Sequence, residues 1–82
     1  MENEHAEIVA ALAACSLLPG SFDKTLIKHW DRQRTEEKPL SETGARHIYR
    51  LLHKYRAQMP EVYAKYQNHS EMLKHQKQEV PA

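Results

Sequence analysis

The stretch LSETGARHIYRLLHKYRAQM, residues 40–59, decides how the chain is read. At about 100° per residue, Ala45, Ile48, Leu51, Leu52, Tyr55 and Met59 fall on one side of a helix expected over residues 42–58. The opposite side carries Arg46, Arg50, His53 and Lys54, with His47 at its margin and no acidic residue between Thr43 and Met59. The start signal is Leu40-Ser41-Glu42. Ser41 can cap orphan backbone N–H groups, Glu42 complements the helix dipole, and Leu40 stands where a hydrophobic staple would. Gly44 costs about 1 kcal/mol relative to alanine in a helix. It either admits close approach of another helix or a phosphate backbone, or is an accident of no consequence.

Working back from this segment, Pro39 and the preceding polar residues read as a loop over 34–40. Before it, Ser21 caps a second amphipathic helix. Phe22, Leu26 and Trp30 form its expected core stripe with Ile27 at the edge, and Lys24, Lys28 and Arg32 lie opposite. A first helix is expected over 3–17, burying Ile8, Leu12 and Cys15 and ending at Leu17-Leu18-Pro19-Gly20. Working forward, Pro60 suits the first position of a fourth helix whose stripe is Val62, Tyr66, His69 and Leu73, with Tyr63 beside it. No alternating strand pattern persists anywhere. The expected fold is all-α, a small bundle of three to four helices with Phe22, Leu26, Trp30, Ile48, Leu52, Tyr55, Val62 and Tyr66 in the core.

A chain of 82 residues with 40% hydrophobic positions makes one small domain. Its expected extent is residues 1–75, followed by a disordered tail over 76–82. The formal net charge of +1 excludes a polybasic nucleic-acid tail and an acidic nucleic-acid mimic. Cys15 is the sole cysteine, so no internal disulfide is available, and a buried thiol in a reducing compartment is expected. Glu2, Glu4 and Glu7 give the apolar first helix an acidic flank, unlike a secretory signal, and its apolar run is too short for a membrane span. A soluble, cytoplasmic protein without membrane association is expected.

Catalysis has little to work with. Ser21 and Ser41 are better explained as caps, Cys15 has no basic neighbour in sequence, and no glycine-rich phosphate loop occurs. The six histidines include no pair at a spacing of three or four, the spacing that puts two ligands on one helix face; His47/His53 and His69/His75 are six apart. No catalytic residues, no metal and no cofactor are expected, and the protein is read as no enzyme.

Charge is unevenly distributed. Residues 1–20 hold three acids and no Lys or Arg, whereas residues 21–59 hold nine basic and five acidic residues, a net +4. Two capped helices joined by a loop, the second basic on its outer face, resemble a helix-turn-helix with an overlong connection. The leading expectation is therefore a non-enzymatic module that contacts nucleic-acid backbone through Lys24, Lys28, Arg32, Arg46, Arg50 and Lys54, with Tyr49 offering a stacking surface for an unpaired base. The alternative is a small adaptor or inhibitor that occupies a partner protein's surface, to which the acidic first helix would contribute electrostatic guidance. Self-association through Tyr49 and Tyr63 is a third reading. The plain alternative to all three is that these charges only solvate two helices.

Residues 17–24, Leu-Leu-Pro-Gly-Ser-Phe-Asp-Lys, together with Leu40-Ser41-Glu42 and Leu51-Leu52-His53-Lys54-Tyr55-Arg56, form a pattern that resembles small helical proteins of phages and mobile elements. Similar-looking modules accompany nucleic-acid-processing enzymes. The resemblance spans about residues 17–58, with Thr43-Gly44 standing where the pattern often has Lys-Gln. It implies a nucleic-acid or phage context, assigns no site residues, and leaves open a phage-encoded protein acting on a host partner.

Overall fold

The structure, a computed structural model, describes residues 1–78, with side chains described through Lys74. Its elements are α1 (Asn3–Ala13), α2 (Phe22–Thr35), α3 (Glu42–Lys54), a 3-10 turn (Arg56–Gln58), α4 (Pro60–Tyr66) and α5 (Ser70–Gln78). The described residues contain no strand, and the fold is the expected all-α bundle. No described helix is long and apolar enough to cross a membrane. The tail expected over 76–82 lies, beyond Gln78, outside the described residues.

Helix α1 buries Ile8, Val9 and Leu12 completely. It packs on α2 and α3, while α3 also packs on α5. It stops at Ala13, earlier than expected, because a tertiary contact replaces the next helical bonds. The Gln58 carboxamide accepts from the Ser16 backbone N–H at 2.8 Å and donates to the Ser16 carbonyl at 3.1 Å. Near the middle of α1, Lys65 Nζ donates to Glu7 Oε1 at 2.8 Å, and the Tyr66 hydroxyl donates to the same carboxylate, tying α4 to α1.

Helix α2 begins as expected, with Ser21 Oγ accepting the Lys24 N–H at 3.2 Å. Its buried face is Ile27 and Trp30, and Phe22 stands 73% exposed. Of the expected stripe, Trp30 is buried and Leu26 packs half-buried against the core, while Ile27, expected at the edge, is buried and Phe22 is not. The cause is Asp23, drawn inward by Lys54 and Tyr55, which leaves Phe22 outside. The C-terminus closes in a Schellman arrangement: Lys38 N–H bonds the Gln33 carbonyl at 2.8 Å and Glu37 N–H the Arg34 carbonyl at 3.1 Å. Glu37 occupies the left-handed position, φ 59°.

Helix α3 is capped by Ser41 Oγ, which accepts the Gly44 N–H at 3.0 Å. Ile48, Leu51 and Leu52 fill the centre of the core, joined by Met59 and, from α5, Met72. Ala45 and Tyr55 are half-buried beside them. The helix ends at Lys54 rather than 58, and the 3-10 turn that follows delivers Met59 to the core. Gly44 is buried because Trp30 lies across it: an added Cβ would meet Trp30 Nε1 at 3.4 Å and Ser41 Oγ at 3.2 Å. What comes up to this glycine is the Trp30 side chain and the Ser41 cap rather than the backbone of another helix.

The single fourth helix expected after Pro60 is divided. His69 interrupts it: its N–H bonds the Tyr66 carbonyl at 3.0 Å and its Nδ1 accepts the Glu71 N–H at 3.2 Å, so the imidazole caps α5. The break resets the helical phase. Met72 is fully buried while Leu73, expected in the stripe, is 41% exposed. Val62, Tyr63 and Tyr66 pack half-buried against the core.

Candidate nucleic-acid interface

A shallow groove of about 310 Å³ runs between α2 and α3. Leu26, His29 and Gln33 border it from α2, Thr43, Gly44 and His47 from α3, and Trp30 lies beneath. The Trp30 and His47 rings meet edge to face with centroids 5.3 Å apart. Burial, then the positive charge of Arg50, holds the His47 pKa below the ordinary histidine value, so this imidazole is neutral at pH 7. Phe22 precedes Leu26 by one helical turn on the same side of α2 and is an exposed apolar ring.

Arg46, Arg50 and Lys54 follow one another by four residues along the outer side of α3. Arg46 pairs with Glu42 at 3.0 Å in an exposed contact that contributes little and yields readily to a competing anion. Arg50 has no ion pair among the described residues, and its charge acts on both Asp23 and His47. Lys54 Nζ donates to Asp23 Oδ2 at 2.6 Å, and the Tyr55 hydroxyl donates to the same oxygen at 2.6 Å. These two hydrogen bonds hold the Asp23 pKa below the usual carboxylate value, and the first of them raises that of Lys54.

The other three cations stand elsewhere. Lys24 and Lys28 border a second groove of about 260 Å³ with Cys15, Leu17, Ile27 and Asp31, on the flank of α2 turned away from α3. Arg32 pairs with Glu36 at 3.4 Å near the end of α2. The structure brings Arg46, Arg50 and Lys54 into one row beside the α2–α3 groove, and the body of α2 separates that row from Lys24 and Lys28.

Two residues read from the sequence as surface groups prove to be interior. Tyr49, offered as a base-stacking surface and a self-association edge, is 2% exposed and lies stacked on His69 with centroids 4.4 Å apart. His53, placed on the basic side, is 7% exposed; its Nδ1 lies 3.1 Å from the Tyr63 hydroxyl. Tyr63 is half-buried through the same contact. The residues that sequence reasoning missed are Phe22 and Asp23. One local signal pointed to Phe22: the Ser21 cap fixes it at the first helical position, beside the exposed Leu18-Pro19-Gly20 loop. No local signal marked Asp23, whose partners lie 31 and 32 residues away. Cys15, expected to be buried within the first helix, lies just past its end and is half-buried in the groove that Lys24 and Lys28 border; burial pushes its pKa up, and its Sγ donates to the Ala11 carbonyl at 3.4 Å.

No known family pattern, curated protein or solved structure matches this chain.

Proposed function

We propose that the protein is a non-enzymatic module that holds single-stranded nucleic acid across the α2–α3 face. Phe22 stacks on an unpaired base there, and Arg46, Arg50 and Lys54 contact the backbone phosphates. The observation that carries this reading is the pairing of an exposed aromatic ring with a row of cations on the neighbouring helix. Sequence-tolerant binding of unpaired strands uses that combination, since every base has a face to stack and every nucleotide a phosphate. The outer side of α3 offers no Asn or Gln to read adenine edges, so contact is with backbone and base faces rather than with sequence. The resemblance of residues 17–58 to modules that accompany nucleic-acid-processing enzymes points the same way, as does a cytoplasmic setting with Cys15 reduced.

Fluorescence anisotropy with labelled single- and double-stranded oligonucleotides tests this at low salt, where phosphate contacts are strongest. Saturable binding that favours the single strand and weakens with added salt is expected. Absence of binding at low salt would end the proposal.

A second reading is favoured by the exposure of Leu18, at 79%, together with Phe22. In it the same surface docks on a partner protein, as an adaptor or an inhibitor would, with the cations as a polar rim around an apolar anchor. Phe22→Ala then abolishes partner binding in a salt-tolerant complex, whereas the nucleic-acid reading requires steep salt dependence.

A further inference from the structure

The groove between α2 and α3 carries hydrogen-bonding groups that neither stacking on Phe22 nor phosphate contact by α3 uses. Trp30, only 3% exposed, lends its edge to the groove beside Gly44. Its Nε1 would stand 3.4 Å from a Cβ at position 44, so the glycine leaves this edge uncovered. The indole N–H has no hydrogen-bond partner among the described residues, and it is not sealed within the core. Buried tryptophans ordinarily give that N–H a partner. His47 stands edge to face with the Trp30 ring, centroids 5.3 Å apart. Its ring nitrogens also lack partners among the described residues, and a neutral imidazole offers one donor and one acceptor. Thr43 and Gln33 add a hydroxyl and a carboxamide at the rim. At about 310 Å³ the groove lies at the small end of ligand sites, which run to about 1,000 Å³, and this favours a single ring.

We infer that the groove receives the edge of one thymine or uracil base, with Trp30 Nε1–H donating to a ring carbonyl and His47 accepting the neighbouring ring N–H. The choice of a nucleobase rests on the reading of this face as a single-strand interface; the choice among bases rests on the chemistry of the groove. An indole can only donate, so it requires an acceptor, and the imidazole nitrogen beside it complements an N–H next to that acceptor. In thymine and uracil this N–H has a carbonyl on each side. The match therefore holds whichever way the ring lies, and Thr43 and Gln33 carry donors for the second carbonyl. Cytosine lacks the ring N–H, and adenine lacks a carbonyl. The edge contact forms against Trp30 and Leu26, away from bulk water, where a hydrogen bond is stronger. The outer side of α3 still reads no sequence, so one position of the strand is selected while its neighbours are not.

Trp30 is the only tryptophan, so the ¹⁵N-labelled protein gives a single indole N–H resonance. Titration with thymidine, which has no phosphate, should move that resonance saturably together with the amides of Gly44 and His47. N3-methylthymidine and deoxyadenosine should bind about fivefold more weakly or worse, the loss of one ordinary hydrogen bond. Trp30→Phe keeps an aromatic ring in the core and removes the donor; thymidine binding, followed at Gly44 and His47, should weaken about fivefold. If that variant does not fold, N3-methylthymidine on the wild type decides. An indole resonance unmoved by millimolar thymidine, or moved alike by all three nucleosides, overturns the inference. Thymidine binding without oligonucleotide binding at low salt would keep the groove and remove the phosphate row. Oligothymidine and oligoadenine bound equally, with the indole unmoved, would keep the strand interface and overturn the groove.

Discussion

Lys54 Nζ at the end of α3 lies 2.6 Å from Asp23 Oδ2 in the first turn of α2. This contact, reinforced by the Tyr55 hydroxyl on the same oxygen, holds Asp23 inward at the start of α2 and leaves the neighbouring Phe22 outside. Among the described residues it joins the Arg46–Glu42 pair as a second place where an acid meets the α3 cations. Asp23→Asn should lower stability by about 1 kcal/mol after solvent screening of the half-exposed lysine. The same change should tighten oligonucleotide binding, because it frees Lys54 and removes a negative charge from the face. Denaturant unfolding and anisotropy on the same variant check both signs.

The pH dependence follows from the same carboxylate. Its folded pKa is depressed, so its contribution is complete above the ordinary carboxylate range and is lost as pH falls through the lowered value. Thermal melts from pH 7 downward should therefore hold steady to about pH 4 and then decline. Asp23→Asn should flatten part of that decline, leaving the share contributed by Glu7, whose pKa is lowered by hydrogen bonds from Lys65 and Tyr66.

Glu37 holds φ 59°, a left-handed conformation that costs a non-glycine residue about 1 kcal/mol or more. Its N–H already makes the capping bond to Arg34, so glycine would keep the bond and shed the strain. Glu37→Gly should raise stability by about 0.5–1 kcal/mol, read as a higher denaturant midpoint at unchanged slope.

Gly44→Ala sets helix propensity against packing. Alanine gains up to about 1 kcal/mol in a helix. Its Cβ would lie 3.2 Å from Ser41 Oγ, which cannot retreat without losing the cap bond to the Gly44 N–H, and 3.4 Å from the Trp30 ring. Net destabilisation is expected, with a shift in Trp30 fluorescence; a more stable variant would show that the two helices can separate freely.

The sequence disclosed what is local. Ser21 and Ser41 as caps and Pro60 at a helix start are decided by atoms within a few residues, and all three stand as read. The phase of α2 was not legible, since periodicity admits Phe22-Leu26-Trp30 as readily as Asp23-Ile27-Trp30 and only the distant Lys54 and Tyr55 choose between them. Nor was the break at His69, because neither proline nor glycine marks it and the interruption depends on an imidazole acting as a cap. For the candidate site, the cationic row on α3 could be read from spacing alone. Its aromatic neighbour could not, and the burial of Tyr49 beneath the α5 cap His69 removed the ring first considered for that role.

Gln58 closes the end of α1 by bonding both backbone groups of Ser16 across 42 residues. Gln58→Ala should cost about 1 kcal/mol. Hydrogen exchange should speed up at Ser16 and in the adjoining loop while the amides of α3 stay protected; uniform acceleration throughout would mean that this clasp governs global unfolding instead.

Amide chemical-shift mapping of the ¹⁵N-labelled protein with a short oligothymidine at low salt tests the central claim most directly. Perturbations concentrated on Phe22, Leu26, His47, Arg50 and Lys54, and diminished in Phe22→Ala and Arg50→Ala variants that remain folded, are the predicted result. An unperturbed spectrum, or shifts confined to the Lys24 and Lys28 flank of α2, would contradict it.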